Sequence, residues 1–236
     1  MEVLPTANFQ PDIVVYGLRL GEPMIAFTGL WVTLLCGYAW WRLRQFPAQE
    51  DALRLAGIFF LLMAISTLIG AFLGHLFIYR LPFLFKLPGW LLGMVAVSAL
   101  AQASIERSKP SLSMGWSKGL TRLNYIFLAL AFCFVTVTCW FPGVEIHSAG
   151  AMLGIILPLE ARKYAQTKQA SSAYHLLGIF FLLMAAAIHV FKWALGIWFS
   201  YFDVAHIFMC LAFGSYMLGA EAHARFTETK QDVVTN

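Results

Sequence analysis

Residues 54–79 read RLAGIFFLLMAISTLIGAFLGHLFIY, with Arg54 at the start, Ser66, Thr67 and a late His75 inside, and an otherwise apolar run. A helix needs about 20 residues to cross the roughly 30 Å hydrocarbon layer of a bilayer, so this stretch is long enough to span. Working outward, further spans are expected at roughly 22–42, 87–105, 122–141, 146–162, 174–200 and 204–224. Pro23, Pro82, Pro88 and Pro142 sit at or near their ends, where a lost backbone donor is tolerated. Pro158 is expected to kink or end the fifth and shortest span. The expected fold class is all-α, a polytopic membrane protein with seven transmembrane helices.

Composition agrees. The chain is 60% hydrophobic and 12% charged, whereas a soluble domain carries about 25% charged residues. The net charge of +4 does not point to nucleic acid, because the basic residues are scattered over the connections between spans. Cys36, Cys133, Cys139 and Cys210 all lie in apolar runs and form no CxxC pair, so no disulfide framework is expected. The opening MEVLPTANFQPD has no basic segment leading into an apolar core, so no cleavable signal peptide is expected.

Basic residues set an orientation. Arg42, Arg44 and Arg54, then Arg107, Lys109, Lys118 and Arg122, then Arg162, Lys163 and Lys168, and finally Arg225 and Lys230 fall on one side; Arg19, Arg80 and Lys86 fall on the other. The positive-inside rule puts the N-terminus outside and a short tail, 226–236, in the cytoplasm. The octapeptide GIFFLLMA occurs at Gly57–Ala64 and again at Gly178–Ala185. This repeat suggests two parallel three-helix units, about 22–106 and 146–225, joined by a linker helix at 122–141 within one domain of residues 1–225.

Ionisable side chains in a bilayer are costly, which makes each a candidate for function. His75, Glu145, His147, Asp203 and His206 all fall toward the outer ends of their helices, with His189 and Lys192 in or near the outer half of helix 6. Asp203, His206 and Cys210 are spaced three and four apart, which puts them on one helical face. Imidazole, thiolate and carboxylate suit Zn²⁺, whose catalytic sites take three protein ligands and one water. His75 is the expected distant ligand, with His147 as its substitute. Gly70 and Gly74 form a GxxxG spacing expected to press His75 against a neighbouring helix. His175 and His223 are expected to be solvated at the cytoplasmic ends, and Lys192 to snorkel or to pair with Asp203 or Glu145.

The segments PDIVVYGLRLGEP, LIGAFLGHLF and LPGWLLGMVAVSALAQ resemble an uncharacterised group of bacterial seven-helix proteins, which implies residence in a bacterial inner membrane. A histidine late in helix 2 with a histidine on helix 7 is similar, more distantly, to the alkaline ceramidase, adiponectin receptor and hemolysin III superfamily. That resemblance implies zinc bound within seven helices, hydrolysis of lipid amides, and His75 and His206 as ligands. The sequence departs from that pattern at Cys210, where a second histidine is expected, at Ala71, where a serine is expected, and in helix 3, which has no aspartate. Ser66 or Asp203 is the expected substitute.

The leading expectation is a zinc-dependent intramembrane hydrolase of a lipid amide or ester, with Asp203 as general base. An alternative is a small-molecule transporter with a midplane site at His189, Lys192 and Cys210. A third is a membrane binding or sensory protein. Membrane lipids, or a lipid or small-molecule substrate, are the expected partners.

Overall fold

The computed structural model describes residues 10–47 and 50–235. Among them seven helices are long and apolar enough to cross a membrane. They are α1 (Pro23–Leu43), α2 (Asp51–Leu76), α3 (Phe83–Ser111), α4 (Met114–Thr138), α5 (Phe141–Thr167), α6 (Ala170–Phe191) and α7 (Tyr201–Thr235). An antiparallel hairpin precedes them, β1 (Ile13–Val15) and β2 (Leu18–Leu20), in register Val15 to Leu18. Its two-residue turn, Tyr16 and Gly17, has positive φ at both positions, at 49° and 78°. Paired left-handed residues match the right-handed twist of the flanking strands. Gly21 N–H then donates to Leu76 O at 3.0 Å, docking the hairpin on the end of α2. The bundle thus has a hairpin end and, opposite, a tail end where α7 finishes.

Sequential helices pack as neighbours, and α7 returns against both α6 and α1. In the core toward the tail half Phe59 and Phe60 are fully buried, and Phe59 meets Phe213 edge-on at 5.5 Å. Lipid offers apolar groups no incentive to associate, so polar contacts and close packing hold such helices together. Asn124 of α4 donates to Ser98 O at 3.0 Å and accepts from Ser98 Oγ at 3.1 Å. Thr33 and Thr67 pair at 2.8 Å between α1 and α2. On α4 only Ser117, Asn124 and Val135 are buried, which leaves the rest of that helix facing outward.

Several boundaries shift from the sequence expectation for physical reasons. Pro158 does not end α5. Without its N–H the preceding turn widens into a π-helical segment, Met152–Ile156, and the helix continues to Thr167. Helix α6 stops at Phe191 and not near residue 200, because Lys192 takes a left-handed cap with φ 56° and Gly196 bridges back to Phe199. Helix α7 runs on to Thr235, so the segment expected as a tail from residue 226 continues the last helix as far as it is described. The GxxxG spacing does not bring helices together: a Cβ on Gly70 would meet nothing, and Gly70–Leu76 is a π-helical turn. The close approach is made from α3, where a Cβ on Gly89 would lie 3.2 Å from Ser66 O and one on Gly93 3.2 Å from Ser66 Oγ.

The repeated octapeptide occupies two different environments. In α2, Phe59 is buried and Ile58 is 39% exposed; in α6, the equivalent Phe180 is 54% exposed and Ile179 is buried. The same eight residues present different faces to the bundle.

Candidate functional site

At the hairpin end a cavity of about 340 Å³ opens between α1, α2, α3, α5, α6 and α7. Small residues make the room, among them Gly29, Gly70, Ala71, Gly89, Ala185 and Ala205, and aromatic rings of Trp90, Phe141 and Phe202 wall it. Three imidazoles line this cavity, His75, His189 and His206, together with Glu145 and Ser66.

Each ring is held by a protein partner. His75 Nδ1 lies 2.7 Å from Glu22 Oε2, and the Glu22 side chain is only 3% exposed. A carboxylate only accepts, so Nδ1 carries the proton of this contact, and any lone pair of the ring stands on Nε2. Glu22 stands at the start of α1 in a left-handed conformation, φ 40°, and Pro23 follows at the first helical position. Phe202 meets the His75 ring edge-on at 5.9 Å. His206 Nδ1 lies 2.9 Å from Thr28 Oγ1, which donates to Asp203 Oδ1 at 3.0 Å. The one Thr28 proton also has the carbonyls of Met24 and Ile25 within 3.0 and 3.1 Å; whenever it goes to one of these oxygens, His206 Nδ1 donates to Thr28 Oγ1 and the lone pair stands on Nε2. His189 Nε2 lies 3.4 Å from Glu145 Oε1.

Asp203 is buried and does not line the cavity. It accepts from Ser200 N–H at 2.7 Å, Ser200 Oγ at 2.6 Å, Gln10 Nε2 at 2.7 Å and Thr28 Oγ1 at 3.0 Å. Its bond to the Ser200 N–H is the return half of a capping box at the start of α7. Gln10 also accepts from the N–H groups of Met24 and Ile25 at 3.0 and 3.1 Å, so a single glutamine joins the starts of α1 and α7. Four donors occupy the Asp203 carboxylate, which the sequence offers as a general base, and through Thr28 it is linked to His206. Ser66 does line the cavity, but its hydroxyl donates to Gly89 O at 2.7 Å and ties α2 to α3.

The donor set expected for zinc is not assembled. Of its four members, His75 and His206 line the cavity. His147 instead packs against Phe127 of α4, ring centroids 5.2 Å apart, and Cys210 packs against the apolar core. Among the described residues no group of three His, Cys, Asp or Glu side chains is arranged to hold a metal ion. Of the three residues of the transporter expectation only His189 lines the cavity; Lys192 lies beside it, both meeting the Tyr201 ring, and Cys210 packs against the apolar core. Lys192 pairs with neither Asp203 nor Glu145 at ion-pair distance; its ammonium sits 4.2 Å from the Tyr201 ring centroid.

The family of unknown function DUF6962 matches residues 24–225. The chain belongs to this family. No curated protein and no solved structure gives a match. The matched region begins just after Glu22 and takes in every histidine of the cavity. None of these comparisons links the chain to the ceramidase and hemolysin III superfamily.

The tail end holds a second polar assembly that the sequence reading missed. Arg107 of α3 is buried and donates to Glu160 Oε2 of α5 at 3.0 Å. Its Nη1 lies 2.8 Å from His175 Nε2, and its Nη2 lies 3.3 Å from Ser171 Oγ. His175, expected to be solvated, is 3% exposed. Gly219 of α7 makes space for its ring, because a Cβ there would lie 2.3 Å from His175 Nδ1. His223 is likewise mostly covered, its Nε2 lying 3.2 Å from Glu50 Oε2. In the sequence Arg107 and Lys163 read only as topology signals, and the 53 and 68 residues that separate Arg107 from Glu160 and His175 hide the cluster.

Proposed function

We propose that this protein hydrolyses an ester or amide bond of an amphipathic, lipid-like molecule in the cavity at the hairpin end. The observation that carries the reading is the Glu22–His75 pair, in which a buried carboxylate orients an imidazole on the wall of an apolar cavity inside the bundle. A base whose orientation is fixed by a third group is the arrangement that activates a nucleophile. His75 Nε2 takes a proton from a water molecule as that water attacks the carbonyl carbon, and Glu22 stabilises the imidazolium that forms. The proton then passes to the departing oxygen or nitrogen. Apolar walls at Leu182, Ala185 and Met209 accept the hydrocarbon part of the substrate. The excess of basic residues at the tail end supports an outward-facing cavity, with the substrate drawn from the outer leaflet.

The test is turnover of fluorogenic long-chain esters and amides by purified protein in detergent, with His75→Gln and Glu22→Gln beside it. A lost general base costs about 10²–10⁴ in rate. The reading expects His75→Gln to fall by that factor while a non-hydrolysable ether analogue still binds. Equal turnover in wild type and both variants, or none in wild type with any substrate of the series, overturns it.

A further inference from the structure

A groove of about 270 Å³ lies at the tail end between α3 and α4, and its wall includes Glu106 and Lys109 of α3 and Ser117, Lys118, Thr121 and Arg122 of α4. We propose that this groove holds the headgroup of an anionic phospholipid whose acyl chains lie along the outward face of α4. The site is separate from the hairpin-end cavity and does not depend on the hydrolase reading.

Local charge is the first support. Three cations, Lys109, Lys118 and Arg122, line the groove with one carboxylate, Glu106. Glu106 pairs with Lys109 and accepts from Gln102 Nε2 at 2.9 Å, so that carboxylate is engaged within α3. The side chains of Lys118 and Arg122 are exposed and make no ion pair or hydrogen bond among the described residues. Two positive charges, one helical turn apart, are therefore left uncompensated. A guanidinium forks onto the oxygens of a phosphate and an ammonium adds a compact charge beside it. Basic pockets between helices at a membrane surface take anionic headgroups.

Unmet hydrogen-bonding capacity is the second. Ser117 is 7% exposed and stands on the groove wall, and its hydroxyl makes no hydrogen bond among the described residues. Thr121, one turn further on, accepts from Gln102 Nε2 at 3.1 Å and gives its own proton to no described group. A buried polar group left unpaired is uncommon in native proteins and marks a place where another polar group completes the structure. The order of residues along α4 then favours a lipid over a soluble anion. Lys118, Arg122, Ile126 and Leu130 follow at intervals of four and share one stripe of the helix. Ile126 is 58% and Leu130 67% exposed, and no charged residue follows Arg122 within α4. Charge above and hydrocarbon below on one stripe repeat the order of headgroup and acyl chain in a leaflet. Trp116, 70% exposed at the start of α4, stands where indoles meet headgroups.

The test titrates purified protein, in a phosphate-free glucoside detergent, with phosphatidylglycerol or phosphatidylcholine of identical chains and counts bound lipid by native mass spectrometry. Arg122→Gln is run beside Arg44→Gln, which removes an equally exposed cation just past the end of α1, at the same end of the bundle. The expected result is a single phosphatidylglycerol adduct favoured over phosphatidylcholine, weakened about tenfold in apparent affinity by Arg122→Gln and unchanged by Arg44→Gln. Inorganic phosphate at the concentration of the lipid should leave that adduct in place. Equal adducts of the two lipids, or equal weakening by both variants, overturns the proposal. Displacement of the lipid by inorganic phosphate at that concentration also overturns it, in favour of a soluble anion.

Discussion

Both ends of the bundle bury ionisable groups in a chain that has few of them, but they use those groups in opposite ways. At the tail end Arg107, Glu160 and His175 are clamped on one another, and Gly219 is left without a side chain so that the imidazole fits. At the hairpin end each imidazole is fixed through one nitrogen, by Glu22, by Thr28 or by Glu145, while its ring borders a cavity. Charges that satisfy each other hold helices in place. Charges oriented from behind and open in front are arranged to act on something else.

The sharpest way to break this contrast is to remove one partner of the tail-end clamp. Glu160→Ala leaves the Arg107 guanidinium buried without its carboxylate, and an uncompensated buried charge costs about 3–5 kcal/mol. Thermal unfolding in detergent should show the largest midpoint loss of any single substitution considered. Gly219→Ala comes next: the added Cβ would also lie 3.0 Å from Ser171 O, so the His175 ring must move, at about 1–3 kcal/mol. Thr28→Val strips the shared hydroxyl from His206 and Asp203, at roughly 1–2 kcal/mol in stability, and frees the His206 ring. His75→Gln keeps a donor for Glu22 and should cost less than about 1 kcal/mol in stability while turnover falls by about 10²–10⁴. Last, Lys192→Gln loses only the contact with the Tyr201 ring, about 0.5–1 kcal/mol.

Much of the fold was legible because a bilayer imposes a length and a polarity on every span. All seven runs are visible in the sequence, and α1 and α2 lie within three residues of their expected ends, whereas α4 starts eight residues early. The misplaced ends have local causes that hydropathy does not encode. Lys192 ends α6 by adopting a left-handed conformation, and a π-helical turn carries α5 past Pro158. The site was legible in part. His75 and His206 do share a cavity, and Asp203 and His206 do share a face, both meeting Thr28 of α1. Glu22, Gln10 and Thr28 were not foreseen, because a polar residue at the start of a span reads as an interface residue until its partner helix is known. Arg107 was read as an orientation signal for the same reason: its partners arrive from α5 and α6, and nothing in the spacing of one helix announces a contact with another.

The contrast between the two ends is tested most directly by chemical modification of histidine in the intact protein. Diethyl pyrocarbonate acylates neutral imidazole nitrogens that reagent can reach, and peptide mass spectrometry assigns each adduct. His75 and His189, with side chains 19% and 22% exposed and rings on the cavity, should be modified in the folded protein, whereas His175, 3% exposed and held by Arg107, should react only after unfolding. Modification of His175 as fast as His75 in the folded state, or protection of His75 and His189 together, would contradict the account.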